Sequence, residues 1–356
     1  MNATPAPQGT ELRLDLNEHT GGCAPEVAAA LQALTAAQLA CYPDTAALTR
    51  AVAARFRVQP DEVLLTNGLD EGILVAAIAC LGLRPHAGLP QAPGAATPHA
   101  RREMIVVTPV FDPYLQAATA MQADAVIVPA GPDFQFPRQA VLDAITPQTR
   151  LIILNTPHNP TGTEVPFDAI AQVCAEAPHA LVLIDEAYQD FGQASCISAL
   201  PSLPNAIVGR TFSKAYGLAG LRIGALIGAP RLLAPMKQAT PIFTLSTPAV
   251  TALETALQHD GYRLAYVDQV RQSRQRTYEV CGRLGLRCWP SAGNFVLIDG
   301  GERYRMLIDG LRADGIRVRD RSADPSCPRC FRLTTGLLTH TNRALAALED
   351  LCAAPR

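Results

Sequence analysis

Short, uninterrupted apolar runs alternate with stretches of helical spacing through the middle of the chain. Residues 104–107, 125–128, 151–154, 181–184, 206–208 and 223–227 are apolar segments of strand length. Runs with no polar alternation predict strands buried on both faces. Between them, 141–145 and 167–175 carry apolar residues at helical spacing. Strand–helix alternation of this kind predicts an α/β fold, with a mostly parallel central sheet flanked by helices. Ligands of such sheets sit beyond the carboxyl ends of the strands.

From about Thr247 the pattern changes. A long helical stretch covers 248–284, with a break near Asp260-Gly261. A strand (294–298), a helix (303–313), two short strands (316–318 and 331–333) and a last helix (342–352) follow. This predicts a smaller α+β domain, completed by part of the N-terminus. The expected division is an N-terminal arm over 1–41, a large domain over 42–246 and a small domain over 247–356. Residues 84–102 are rich in Pro, Ala and Gly and have no periodicity. They read as a surface loop in which His86 and His99 are solvated.

Composition narrows the function. The chain has 356 residues, 48% of them hydrophobic, so a large core is available. A net charge of −2 gives no basic surplus to attract nucleic-acid phosphates. No apolar run is long enough to cross a bilayer; the nearest, 74–83, reads as a buried helix. The first residues have neither a basic start nor an apolar stretch, so no secretory signal is expected and the chain reads as cytoplasmic. Its 10 scattered cysteines then read as reduced thiols. Cys327 and Cys330 form one CxxC, but no further zinc ligands stand near it, and it reads as an ordinary loop with no metal.

The polar motifs fall at or just after the predicted strands. Lys214 lies in Thr211-Phe212-Ser213-Lys214-Ala215-Tyr216-Gly217-Leu218-Ala219-Gly220-Leu221-Arg222. An enclosed amine can attack a carbonyl and form a Schiff base, while Ser213 and Arg222 hold a phosphate. Pyridoxal phosphate carries an aldehyde and a phosphate on one ring and satisfies both halves. Asp185 ends an apolar strand, where an acid is costly unless it meets a cation. A protonated pyridine nitrogen is such a cation, and Tyr188 could donate to the ring's phenolic oxygen. Asn155-Thr156-Pro157-His158-Asn159-Pro160-Thr161-Gly162 forms a rigid turn able to present an asparagine amide. Thr66-Asn67-Gly68-Leu69-Asp70-Glu71-Gly72 opens a helix whose N–H groups can bind phosphate. The same residues read equally as a plain helix cap by Asn67 or Asp70, and both readings can hold together.

In this order the motifs resemble the fold-type I pyridoxal phosphate aminotransferases of class II, and within them the histidinol-phosphate aminotransferases. The likeness runs from about Leu14 to the C-terminus. Tyr42-Pro43-Asp44 and Val318-Arg319-Asp320 followed by Phe331-Arg332-Leu333-Thr334-Thr335-Gly336 point to the narrower branch. The resemblance implies Lys214 as the Schiff-base lysine and general base, Asp185 at the pyridine nitrogen, and Asn159 with Tyr188 at the phenolic oxygen. It implies Thr211, Ser213, Arg222 and the backbone of Leu69 and Asp70 around the phosphate, with Phe111 stacked on the ring. Tyr42 would reach the cofactor phosphate of a partner subunit, which implies a homodimer with shared sites. Arg332 would bind a carboxylate, and Arg332 with Arg319 a substrate phosphate. Asn17 and His19 would approach the substrate from the N-terminal arm, where Asn17-Glu18-His19-Thr20 departs from the family's Asn-Glu-Asn-Pro. The implied reaction is ping-pong transamination between histidinol phosphate and 2-oxoglutarate, in histidine biosynthesis. An aromatic-amino-acid aminotransferase and a threonine-phosphate decarboxylase are the alternatives on this scaffold. A non-catalytic regulator would carry a DNA-binding domain, which these motifs leave no room for.

Overall fold

The computed structural model describes residues 11–82, 88–90 and 101–353. Most of the proline-rich segment, with His86 and His99, lies outside the described residues. The strands are β1 (Leu12–Leu14), β2 (Val63–Thr66), β3 (Glu103–Val107), β4 (Asp124–Val128), β5 (Thr149–Asn155), β6 (Leu181–Asp185), β7 (Ala206–Thr211), β8 (Gly224–Gly228), β9 (Arg287–Cys288), β10 (Phe295–Asp299), β11 (Ile316–Asp320) and β12 (Cys330–Thr334). They form two sheets.

The larger sheet has seven strands in the order β2-β8-β7-β6-β5-β3-β4. Every strand but β8 points the same way. β6 and β7 are buried at every position, as their apolar runs require. One face packs on the helices Gly68–Leu81, Asp112–Ala120 and Pro230–Ala239, through Ile73, Ala118 and Met236. The other packs on the helix Phe167–Glu176, through Ile170 and Val173. β4 lies on one side of β3 and β5 on the other, so the crossover direction reverses between β3 and β5. A crevice opens at the carboxyl ends of strands flanking such a reversal.

The smaller sheet runs β1-β11-β12-β10-β9. β1 pairs with β11 in parallel, which buries Leu12 and Leu14 among Val296, Phe331 and Leu333. The N-terminal segment thereby completes this layer. The long helical stretch is split at His259 into the helices Thr247–Gln258 and Asp260–Leu284. The first packs Ala249, Val250 and Leu253 against Val63, Leu65 and Ile223. It therefore packs with the larger layer. The second helix bridges the layers: Tyr266 and Val270 meet Tyr188 and Phe295, while Val280 and Cys281 join the core of the small sheet. Cys327 and Cys330 are buried against Trp289 and Leu297 at the turn into β12.

Candidate active site

A cavity of about 570 Å³ lies at the carboxyl edge of the larger sheet, closed on one side by the small sheet. Its floor is the end of β6. Asp185 is only 2% exposed there. Alternation along the strand sends the next acid, Glu186, the other way, where it pairs with Arg210 at 3.0 Å. Among the described residues Asp185 has no such partner. It accepts from the Tyr114 hydroxyl at 2.5 Å and from the Ala187 N–H at 2.9 Å. Burial pushes its carboxyl up to about 6, with these two donors pulling the other way. Tyr114 is itself pushed well above the usual phenol range, by burial and then by the neighbouring carboxylate. Asn155, opposite Asp185 in register, donates to the Asp185 carbonyl at 3.2 Å and accepts from the Asn159 N–H at 2.7 Å.

Lys214 follows β7 and faces the same cavity. Its amine donates to the Leu16 carbonyl at 3.0 Å and lies 5.8 Å from the centre of the Tyr188 ring. Ser213, Thr211, Leu69, Asp70 and Arg222 form the adjoining wall. The helix Gly68–Leu81 begins here without a side-chain cap, so its first N–H groups are available to an anion. Gly68 has φ +76, and a Cβ on it would sit 2.5 Å from the Arg222 guanidinium. The glycine lets arginine and helix start share one concave corner. Arg222 is held there by Asp70 at 2.5 Å. Phe111, at the start of the helix Asp112–Ala120, lines the cavity edge-on to Tyr114.

The opposite wall is cationic. Arg319 and Arg332 stand directly opposite each other in the β11–β12 register, so both side chains leave the same face. Like charges so placed repel, and neither meets a carboxylate among the described residues. Arg332 is buried, donates to the Asn159 side-chain carbonyl and to the Asp15 carbonyl (2.6 Å), and keeps an unpartnered Nε. Burial lowers it to about 10, although the neighbouring Tyr188 pulls the other way. A buried guanidinium without a counter-ion is costly unless an anion arrives.

Tyr42, expected at a partner's site, is 73% exposed and stacks on Phe243 with ring centres 3.8 Å apart, outside this chain's own cavity. Two residues expected at the substrate do not line the cavity. Asn17 is buried behind the wall, where its amide donates to Tyr188 at 3.0 Å and accepts from Thr334 at 3.1 Å. His19 stacks on Tyr266 (3.4 Å) and Tyr262 (5.3 Å), and burial lowers it to about 3. The arm instead meets the cavity through the backbone of Asp15 and Leu16. Sequence reasoning passed over Tyr114, Asn155 and Arg321, all of which line the cavity. Tyr114 follows Phe111 by one helical turn, and Arg317, Arg319 and Arg321 alternate through β11 and one residue past it; both spacings were available as signals.

The profile of the family described as Aminotransferase class I and II matches residues 10–348. Histidinol-phosphate aminotransferase 2 of Ralstonia nicotianae is 35% identical over 341 residues, which span 92% of this chain and 85% of the relative. The histidinol-phosphate aminotransferase of a Geobacillus species is 31% identical over 347 residues, spanning 96% and 90%. Among solved structures, histidinol-phosphate aminotransferase from Sinorhizobium meliloti in complex with pyridoxal-5'-phosphate superposes with a TM-score of 0.84 at 26% identity, covering 96% and 91%. L-threonine-O-3-phosphate decarboxylase from Porphyromonas gingivalis superposes with a TM-score of 0.79 at 20% identity, covering 96% and 100%, a likeness of fold alone.

Proposed function

The chain belongs to the class I and II aminotransferases, and from that premise we propose that it moves the amino group of histidinol phosphate to 2-oxoglutarate, a step of histidine biosynthesis. It is a pyridoxal phosphate-dependent transaminase. The cavity fits that cofactor at three points: a buried carboxylate with no cation, an uncapped helix start beside an arginine, and a lysine between them. When bound, the cofactor supplies an aldehyde for the substrate amine and an electron-withdrawing ring.

In this reading the tasks fall to the residues that line the cavity. Lys214 would hold the cofactor through its amine and would move a proton at the substrate's amine-bearing carbon, as a positioned general base. Asp185 holds its charge against the ring nitrogen, and an opposite charge there draws its carboxyl back down from about 6. Arg332 occupies the Asn159 carbonyl, so the Asn159 NH₂ is left to donate to the phenolic oxygen. Tyr188 accepts from Asn17, which leaves its own O–H free for the same oxygen. Ser213, Thr211, Arg222 and the first turn at Leu69 and Asp70 hold the phosphate, and Phe111 covers a ring face. Arg332 and Arg319 take the substrate's anion.

The observation that carries the substrate assignment is that pair of unneutralised arginines in register, a site built for a doubly charged group. Several curated relatives that act on histidinol phosphate support it. We read the enzyme as a homodimer. Tyr42, Phe243 and the 90%-exposed Ile242 form an apolar patch suited to a second copy, whose site Tyr42 would enter. We place its work in the cytoplasm. Among the described residues, no helix is long and apolar enough to cross a membrane. The test is a coupled assay with histidinol phosphate and 2-oxoglutarate. Glutamate should form with this donor in preference to phenylalanine, without release of carbon dioxide. Glutamate from phenylalanine alone, or carbon dioxide from threonine phosphate, would sink the assignment.

A further inference from the structure

Beside Arg222, Arg319 and Arg332, the cavity is lined by a fourth arginine that neither phosphate assignment uses. Arg321 lines it one alternate position beyond Arg319, on the same face of the β11 edge. The ladder continues past the strand, since the Arg321 N–H donates to the Cys330 carbonyl at 2.9 Å. Its side chain is 15% exposed. Asp324 takes one of its nitrogens at 2.9 Å, and the other oxygen of Asp324 is fixed by the Ser326 N–H at 2.9 Å. The carboxylate is thus a rigid post that holds the guanidinium by one N–H. Nε of Arg321 is buried and has no partner among the described residues. A guanidinium carries five N–H donors, so most of this one's capacity is unspent. It is close enough for its charge, like that of Arg319, to lower Arg332.

We propose that Arg321 is a specificity-determining residue: it joins Arg319 and Arg332 as a third guanidinium around the substrate's distal anion, positioned by Asp324. The inference rests on the aminotransfer reading above and narrows it. Two arginines suffice for a carboxylate, which offers two oxygens. A phosphate monoester offers three oxygens and up to two charges, and it gains more from a third cation. Arg321 therefore biases the cavity toward phosphate over carboxylate at that end of the substrate. Asp324 contributes by placing the guanidinium and need not touch the ligand.

The test titrates the cofactor-loaded enzyme with inorganic phosphate by calorimetry and compares wild type, Arg321→Gln, Arg321→Lys and Asp324→Asn. The cofactor's absorbance band checks folding in each. Loss of one charge-assisted contact should weaken phosphate binding about tenfold or more in Arg321→Gln. Arg321→Lys should recover part of that loss, and Asp324→Asn should show a smaller one. KM for histidinol phosphate should rise with the phosphate dissociation constant in Arg321→Gln, by a larger factor than KM for 2-oxoglutarate. A phosphate affinity unchanged between wild type and Arg321→Gln overturns the role of Arg321, as does a wild type that takes up no phosphate. A wild type whose cofactor band responds to no amino donor overturns the aminotransfer reading instead, and the phosphate titration then still decides on Arg321.

Discussion

Asp185→Asn should stabilise the cofactor-free protein while disabling its chemistry. The ordinary Asp185 value of 3.8 is pushed to about 6 by burial, against the pull of the Tyr114 hydroxyl and the Ala187 N–H. Below about pH 3.8 the carboxyl is protonated in both folded and unfolded chains, and its burial has no electrostatic cost. Between there and pH 6 the unfolded chain ionises and the folded one does not, so stability falls as pH rises. Above pH 6 the whole penalty is present. The gap of about two pH units corresponds to about 3 kcal/mol. An amide has no charge to desolvate, so the variant escapes it. Urea unfolding of the cofactor-free forms should show near-equality at about pH 4 and the variant ahead by about 2–3 kcal/mol near pH 7.5. His19 and His158 titrate in the opposite sense, because burial lowers both, but they are present in both proteins and cancel in the difference. With cofactor bound, the variant should lose about 10² or more in kcat, the scale of removing one preorganised charge. Equal stabilities near pH 7.5 would refute the burial argument. Undiminished turnover would refute the role of the carboxylate at the ring.

Lys214→Ala should bind the cofactor reversibly only: after borohydride treatment the wild type should keep it through denaturation, the variant should release it, and turnover should drop by about 10² to 10⁴ or more. Covalent retention in the variant would move the attachment to another residue. Arg332→Gln should raise KM for both substrates and lower kcat/KM about 10²-fold, because two charge-assisted contacts to the substrate anion are lost. An unchanged KM would remove Arg332 from the anion site. His19→Phe should make the protein acid-tolerant. The stability tied to neutral His19 is present above pH 6.5 and is lost as pH falls toward its folded value of about 3, at about 1.4 kcal/mol per pH unit. Wild type and variant unfolded in urea at pH 7 and pH 5 should therefore differ in acid sensitivity by about 2 kcal/mol, and equal sensitivity would mean the stacked imidazole is already charged.

What could be read in the chain was whatever a single strand carries to its own end. Asp185 was legible because it ends an uninterrupted apolar run, and Lys214 because hydroxyls and an arginine flank it just past another strand; the carboxyl edge of a parallel sheet collects such ends in one place. The turn at Asn159 was legible for the same reason, three residues short of its glycine, Gly162. What could not be read depended on which distant segments pair. Helical spacing over 248–284 announced helices but not that the Thr247–Gln258 half would pack on Val63 and Ile223. The opposition of Arg319 and Arg332 is a register, and the alternation that puts Arg321 on the Arg319 face does not say which strand stands opposite. The N-terminal arm shows the limit most clearly. Its polar side chains suggested substrate contacts, yet Tyr266 and Tyr262, far along the chain, take His19 into a stack, and Tyr188 with Thr334 takes Asn17. Its carbonyls at Asp15 and Leu16 reach Arg332 and Lys214 instead. Every residue has a carbonyl, so no choice of side chain could have marked these two. Only the parallel pairing of β1 with β11 carries the backbone across the mouth of the cavity.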